Sequence, residues 1–580
     1  MIDKILETPE LTMLKNNKTS GYNYRERRHD PWKEIYELYR DKVTLNRLTQ
    51  RQSVNLPLMK QSVRTLLKDV DDMPVIQFEN LDNNKDAEIF KNEYWKLCVD
   101  ENKMDIQDIV DKKQVFFYGR SFDQWQVVDG KIKMTVQDPM DILVSRYTDP
   151  FDLHSSRFLI HTHIFKPLSY LENNPAYNQA KVAELKRWYG TETGLIKARE
   201  NNNMLNEKNE KMEEMGIDDV NNPILGEVIV ELTMHFVFRH EDGEKEDQIY
   251  LYVEADDQVI LMKKTLEEVV GTTKDHYFRN HYPYVSWADD IERQDFWSDG
   301  IGDTIRTPNK VLNSWFSQMV ENRTLRNFGM NFYDSSIEGF TPPTNQAPLP
   351  GGWYPLPGKP SETYQHVDVP DLSESMDEMT FLITMIEKAT GATATQQGMT
   401  QERQITLGEV ELALGEAKER IKGMSKFYTQ AWKDRGMVFD RLCEAAGDKI
   451  VAVKIHKRGR NTTEMFTREI SPKDWMSKEG YAVKVWSQDE KNEQTTKELE
   501  KLNAVKANMP DNPKLDEVYK RKLLEFANLN PDEVNTIMEY EEKKSAMLAN
   551  SMMMGGGIPQ PGMPTTQQPQ PAQKPVQPMV

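Results

Sequence analysis

Cysteine is scarce in this chain of 580 residues, which contains only Cys98 and Cys443. The two lie far apart in helical patterns, so the fold does not rest on disulfides and we expect free thiols in a reducing compartment. No apolar run approaches the length of a transmembrane helix, and the N-terminal residues lack the apolar core of a signal peptide. We therefore expect a protein without a membrane span that is made, and at least initially used, in the cytosol.

Signatures of nucleotide hydrolysis, zinc proteolysis and serine hydrolysis are also missing: the sequence has no G-x-x-x-x-G-K-[ST], H-E-x-x-H or G-x-S-x-G. We expect no enzyme and no cofactor. His161 and His163 flank one residue of a predicted strand and so share a face, which could form half of a metal site. No third ligand is evident nearby, and we predict no metal. A metal-dependent nuclease or phosphatase that uses these histidines stays as an alternative.

The chain is acidic and polar, with 93 Asp and Glu against 74 Lys and Arg, a formal charge of -19 and 38% apolar residues. Its 11 Trp, 22 Tyr and 21 Phe nevertheless favour packed cores over disorder. Proteins that grip nucleic acid through its phosphates are normally basic. The composition argues against a tight DNA binder and is compatible with an acidic wall that a polyanion slides past.

The first part of the chain predicts a mixed body after a polar arm. Residues 1–30 read as an arm in which Arg25, Arg27 and Arg28 form a solvated basic cluster, and Asp30-Pro31 reads as a helix start. Helical periodicity and strand-like alternation follow up to residue 285. The predicted helices are 31–43, 58–70 and 85–112, and the predicted strands are 114–118, 123–128, 131–136, 158–165, 227–239, 248–253 and 258–263. We predict an α+β fold.

The most informative stretch is 300–447. A first helix carries the row Val311, Trp315 and Met319, and a second carries Ile383 and Ile386. Between them, residues 340–360 hold seven prolines, which exclude helix and central strand in that run, although the aromatic residues of the segment, Trp353 and Tyr354 among them, indicate a folded unit. The two helices are expected to run antiparallel as a stalk with that unit at its tip.

A small, uncharged loop follows, and a long helix comes after it. From a capping box at Thr406 and Glu409 this helix is expected to run about 37 residues, roughly 55 Å. Gly408, Gly415 and Gly423 lie on one face of it. They either are tolerated in a weak helix or mark a kink or a close helix approach. Residues 488–550 read as charged helix and 551–580 as a disordered tail.

Several short motifs, in a fixed order, resemble those of the portal proteins, or head-to-tail connectors, of tailed bacteriophages. Tyr118-Gly119 leads through QWQVVDG to Asp138-Pro139, and HYPYV at 281–285 leads through WSDGIGD to PNKVLN at 308–313. EKATG at 387–391 is similar to the family's approach to its tunnel loop. The resemblance covers residues 31–550; each motif alone is weak, and their order gives the specificity.

The resemblance implies an α/β wing, a two-helix stem, a small clip, a long kinked helix and a helical crown, in a protomer that assembles into a ring. The implied parts are an arm (1–30), wing (31–299), stem (300–325 and 371–390), clip (326–370), tunnel loop (391–405), long helix and wing return (406–487), crown (488–550) and tail (551–580). It also implies a dodecamer at one capsid vertex of the virion, assembled in the host cytoplasm. Double-stranded DNA would pass in packaging and ejection, with terminase, adaptor or tail proteins, the major capsid protein and scaffolding protein as partners.

The dimensions suit such a ring. Twelve helices of about 10 Å width enclose an opening of about 28 Å, which duplex DNA of about 20 Å passes with some clearance. The uncharged tunnel-loop residues could touch phosphates without the affinity that lysines bring. These candidates are Thr393, Thr395, Gln396, Gln397 and Gln401. The alternative for the loop is an ordinary helix connection, and the alternative for the protein is a virion or scaffold protein with a stalk and no channel.

Overall fold

The computed structural model describes most of the chain up to residue 328 and shorter segments after it. The described residues are 8–40, 54–69, 73–82, 84–128, 130–213, 228–240, 247–271, 277–328, 330–334, 353–356, 364–367, 375–390, 426–443, 451–458, 463–470, 472–475 and 479–486, with single positions at 336, 477, 501, 520 and 540. They belong to two compact units, Met1–Val453 with Arg468–Lys491 and Lys454–Thr467 with Asn492–Val580.

The protein is a mixture of helix and sheet, as predicted. Its helices are α1 Pro9–Tyr39, α2 Leu58–Asp69, α3 Lys85–Asn102, α4 Met104–Tyr118, α5 Leu168–Asn173, α6 Gln179–Trp188, α7 Glu192–Glu213, α8 Leu266–Val270, α9 Tyr277–Asn280, α10 Ile301–Phe328, α11 Ser375–Thr390, α12 at 426–443 and α13 Pro472–Trp475. Within the described ranges, no helix is both long and apolar enough to cross a bilayer.

The strands form separate sheets. They are β1 Val75–Asn80, β2 Arg120–Val128, β3 Lys131–Gln137, β4 Ile142–Val144, β5 Phe158–Pro167, β6 Ile229–Arg239, β7 Gln248–Ala255, β8 Val259–Thr265, β9 Tyr284–Ala288, β10 Met330–Asp334, β11 Trp353–Leu356, β12 Tyr364–Val367, β13 Val451–Arg458, β14 Thr463–Ile470 and β15 Tyr481–Trp486. The largest is an antiparallel meander, β4-β5-β6-β7-β8. Smaller sheets are β3-β2-β9, β1-β15, β11-β10-β12 and β13-β14. The predicted strands between residues 123 and 263 are confirmed.

The N-terminal segment corrects the expectation of a polar arm. Residues 9–30 are the greater part of α1, and Pro31 lies inside that helix instead of starting it. Leu14 packs into the core of the five-stranded sheet with Leu143, Phe158 and Ile160. Few apolar residues are enough to bury residues 9–30 because polar residues of the same face find partners on the sheet, which a periodicity argument cannot foresee.

The predicted single helix over 85–112 is wrong, and so is the predicted strand over 114–118. The chain breaks at Lys103, whose backbone is left-handed (φ 49°), and α4 continues to Tyr118. The Asn102 amide donates to Ile132 O, and the Gln107 amide donates to Met134 O. Because β3 is an edge strand, these amides satisfy backbone groups that the sheet leaves unpaired, and the break lets both side chains reach them.

The predicted stalk and its tip are both regular structure. α10 and α11 pack against each other. β10 follows α10 after one residue, and its Met330 pairs with Val367 of β12, the last strand before α11. The end of α10 and the chain leading to α11 therefore meet at one end of the strands of the β11-β10-β12 sheet. This is the connectivity of an antiparallel helical hairpin with a small sheet at its end.

Candidate functional site

The basic residues of α1 that we expected to be solvated bind the body of the protein instead. Two of them bind the segment just before α10. Arg28 donates to Trp297 O at 2.6 Å and forms an ion pair with Asp299. Arg27 forms an ion pair with Asp295. Arg25 is buried and donates to Ile142 O at 3.0 Å, and burial lowers the pKa of its guanidinium. The expectation of a solvated cluster is wrong because acidic and carbonyl groups of the body face this helix.

The WSDGIGD segment is shaped by close backbone approach. Gly119, at the C-terminus of α4, has φ 78°, and a Cβ there would lie 2.0 Å from Ser298 O. A Cβ on Gly300 would lie 2.7 Å from Phe116 O. A Cβ on Gly302 would lie 2.8 Å from Ile35 Cγ2. These glycines let α10 start directly against α1 and α4.

The PNKVLN segment carries a second attachment. Asn313 of α10 accepts from Leu56 N at 2.9 Å, and Ser317 accepts from Val54 N at 3.0 Å. The chain preceding α2 therefore lies along α10, fixed by backbone-to-side-chain bonds. Sequence reasoning did not find this role of Asn313, although a polar residue beside the apolar Leu312, which is buried, was a usable signal.

The predicted stem residues lie on different faces of the hairpin. On α10, Val311 is 37% exposed, whereas Trp315 and Met319 are half-buried. On α11, Ile386 is buried and Ile383 half-buried. Trp353 and Tyr354 lie in β11, at the edge of the tip sheet. The tunnel-loop candidates fall outside the described residues, as a group: Thr393, Thr395, Gln396, Gln397 and Gln401.

Both hairpin helices present a face to solvent that suits another helix. Exposed uncharged residues of α10 recur at alternating spacings of three and four, with the exposed Lys310 beside them; they are Thr304, Thr307, Val311, Ser314 and Gln318. On α11, Phe381 is 64% exposed and Met385 49% exposed, one turn apart. At 3.6 residues per turn, they lie roughly opposite the buried Met379 and Ile386. The hairpin therefore has two outer surfaces without an internal partner among the described residues.

The two histidines of β5 do not share a face, contrary to the prediction. The register of β5 against β6 shifts between His161 and Ile164, and His163 has φ 57°, which marks a bulge. His161 Nδ1 lies 3.1 Å from the Tyr284 hydroxyl, while His163 Nδ1 lies 2.9 Å from Asp141 Oδ1. In the described ranges, no group of three or more His, Cys, Asp or Glu side chains could hold a metal ion.

A buried ion cluster that sequence reasoning missed fixes α12 to the body. Arg435 is fully buried, with Nη2 2.6 Å from Asp111 Oδ2 and Nε 2.5 Å from Asp123 Oδ2. The indole of Trp287 donates to the same Asp111 oxygen at 2.7 Å. The cluster thus joins α12, α4, β2 and β9.

The cluster continues along α4. Lys112 Nζ lies 2.7 Å from Asp108 Oδ2, and the Tyr428 hydroxyl donates to Asp108 Oδ1 at 2.7 Å. Asp108 and Asp111 fall on the same face as the buried Met104 and Val115. Carboxylates aligned with apolar core positions were the signal in the sequence, because a buried carboxylate requires a partner.

Three carboxyl groups in the cluster, those of Asp108, Asp111 and Asp123, face the two cations Arg435 and Lys112. The Asp123 carboxyl is hard to ionise. Burial raises the pKa of Asp123 to about 8; Arg435 opposes this rise, and Asp111 adds to it. The arrangement is a buried ion cluster that links four elements of the body.

Comparison of the sequence with models of known protein families and with curated proteins finds no match.

Proposed function

We propose that this protein is a portal: a ring of copies around a channel through which double-stranded DNA enters and leaves a viral capsid. The feature that carries the proposal is the α10–α11 hairpin with the β11-β10-β12 sheet at its end, which follows an α+β body in the chain. A stem and a clip, in this order along the chain, are what such a ring requires.

The attachment of the hairpin to the body supports its proposed role as a rigid stem. Arg28 anchors the segment before α10, and the glycine contacts allow no extra side chain at its start. The Arg435 cluster fixes α12, the helix that follows the tunnel loop in the sequence, to the same body. A part that must transmit force between a channel and a capsid needs such rigid junctions.

The outer faces of the hairpin support side-by-side assembly. The exposed, mostly uncharged stripe on α10, centred on Val311, and the apolar pair Phe381 and Met385 on α11 are different surfaces. If α11 of one copy contacts α10 of the next, the contact is head-to-tail and closes into a ring when the rotation per copy divides a circle. Terminase, and later adaptor or tail proteins, would dock at the ring's clip end.

Light scattering coupled to size exclusion tests the proposal at micromolar concentration. We expect particles near twelve times 67.5 kDa. A strictly monomeric species would overturn the proposal. A defined oligomer that electron microscopy shows without a central hole would favour the virion or scaffold protein with no channel.

A further inference from the structure

The strand β15 has an outer edge to which none of the described residues adds a further strand. On the other side of the sheet, Asn92 Oδ1 accepts from Phe78 N at 2.8 Å, and the Asn92 amide donates to Phe78 O at 3.0 Å. The backbone groups of Phe78 therefore point away from β15. Phe78 lies opposite Val483 in this antiparallel pair, so the backbone groups of Val483 also point away from the partner strand.

The same alternation puts the backbone groups of Tyr481 and Val485 on the outer edge with those of Val483. The bond from Leu81 N to Gly480 O, at 3.2 Å, continues the inner series just before β15 begins. Among the described residues, no backbone group bonds to the outer edge of β15. Three N–H and three C=O groups thus form a row along six residues, which is a template for another strand.

This edge lacks the usual protection of a free edge. Bulges, prolines and covering groups normally block such edges. The register of β15 with β1 is continuous and its sequence has no proline, whereas Asn92 closes the edge of β1, and Asn102 and Gln107 close that of β3. Lys484 is the one charged residue of β15, and its ammonium is paired with Glu79 at 2.6 Å. The edge is therefore open to a further strand.

The β13-β14 sheet, which we call the β13–β14 ribbon, is a second sheet of only two strands within the described ranges. Residues Lys454–Thr467 of the ribbon belong to one compact unit, and β1 and β15 belong to the other. Two strands alone are marginally stable in water and need a further strand or a packing partner. Each strand of the ribbon has eight residues and is long enough to cover the six of β15.

The charge of the ribbon favours another copy of this chain as its partner. Residues 451–470 contain five basic and two acidic residues, whereas the whole chain has a formal charge of -19. A basic segment is attracted to an acidic protein over long distances. The addition of a strand then depends on backbone bonds, which any strand sequence can form.

We propose that the β13–β14 ribbon of one copy adds to the free edge of β15 in a second copy and extends the β1-β15 sheet from two strands to four. The outward backbone groups of Tyr481, Val483 and Val485 supply the bonds. The contact joins unlike surfaces and is therefore heterologous, so it repeats from copy to copy. It rests on the proposed ring for its closure. It is one part of the interface, since stable interfaces bury about 800 Å² per partner.

A photoreactive side chain tests which segment lies beside β15. Benzoylphenylalanine replaces the exposed Lys484 in one full-length chain, which is mixed with an isotope-labelled wild-type chain before irradiation. We expect mass spectrometry to find a covalent dimer that joins position 484 of one copy to residues 451–470 of another. The matched control is the same replacement of Lys133, which is exposed on β3 beside a closed edge and is expected to give no such dimer.

Three results would overturn the docking proposal while the ring survives. A dimer that joins position 484 to residues 481–486 of a second copy would mean symmetric pairing of two β15 strands. A link to residues 451–470 of the same chain would mean that the ribbon covers its own edge. No link, although the wild type is oligomeric by light scattering, would mean that the edge stays unpaired. A monomeric wild type would instead reject the ring itself.

A proline on the edge provides a second readout. Val485→Pro removes an N–H that the pairing with β1 does not use, and it is expected to weaken association at least about tenfold. Val485→Thr keeps the N–H and a β-branched side chain, and it should associate like the wild type. Amide exchange in β1 checks that the β1-β15 pairing persists. Unchanged association of Val485→Pro with this pairing intact would contradict the proposal.

Discussion

Arg435 and Asp111 form a fully buried ion pair, with 2.6 Å between Nη2 and Oδ2, that joins helices more than three hundred residues apart in the sequence. The pair is part of the cluster that keeps α12 on the body. The pair matters for stability because it is buried. Removing one partner would leave the other charge unpaired in the interior, at a large cost in free energy.

Removal of the Arg435 cation is therefore expected to destabilise the folded protein strongly. Arg435→Ala leaves Asp108, Asp111 and Asp123 without their shared partner, and we expect a loss of about 3–5 kcal/mol in the free energy of unfolding. Lys433→Ala, two residues earlier and exposed, is the matched control and should change stability by less than about 0.5 kcal/mol. Urea unfolding followed by tryptophan fluorescence measures both. Equal effects would mean that the cluster does not fix α12.

Asp123 gives the cluster a pH dependence. Its pKa is raised to about 8 in the folded chain, mainly by burial, so the folded state binds a proton that the unfolded chain releases near pH 4. This group's contribution to stability is then greatest below pH 4 and falls as the pH rises towards 8. We expect the stability of Asp123→Asn relative to the wild type to improve between pH 5 and pH 8. A difference that does not change with pH would contradict the raised pKa.

Gly302 should resist substitution despite its helical position. Alanine normally gains about 1 kcal/mol over glycine in a helix. Here a Cβ would lie 2.8 Å from the buried Ile35 Cγ2, and we expect Gly302→Ala to destabilise the protein. Thermal unfolding of Gly302→Ala, Ile35→Ala and the double variant measures the coupling, with Ser314→Ala on the exposed stripe as control. Strictly additive effects would show that the two residues do not meet.

The tunnel-loop prediction concerns residues outside the described ranges. Deletion of residues 391–401 is expected to spare assembly, because the hairpin and body contacts lie elsewhere, and to impair DNA packaging or retention. Particle mass and packaged DNA per capsid are the two measurements. Normal packaging by the deleted chain would remove the role assigned to Thr393, Gln397 and their neighbours.

The sequence was informative where local rules decide the structure. Alternation predicted β2, β3 and the meander, and helical periodicity with Pro308 near the start predicted α10. Sequence-based prediction failed where contacts between residues far apart in the chain decide the structure. The polar residues of α1 are buried by partners on the sheet: Lys18, for example, lies 2.9 Å from Asp257. Burial alone would lower the pKa of Lys18. Asp257 and nearby acidic residues raise it by more, so the pKa of Lys18 is raised overall.

The candidate site shows the same division. The two helices of the hairpin were predictable because their apolar residues recur at helical spacing. The segment between them was predictable as non-helical because proline excludes helix. The bulge that separates His161 from His163 was not, since a single left-handed residue at His163 reverses the face of every following side chain. The Arg435 cluster was not either, because ion pairs across such sequence distances leave no local pattern.

The width of the central opening, measured in cryo-electron microscopy averages of the purified oligomer viewed down its axis, tests the central claim most directly. Twelve hairpins side by side predict an opening of about 28 Å, wide enough for a duplex of about 20 Å. A particle with no opening, or with one too narrow for a duplex, would contradict the account.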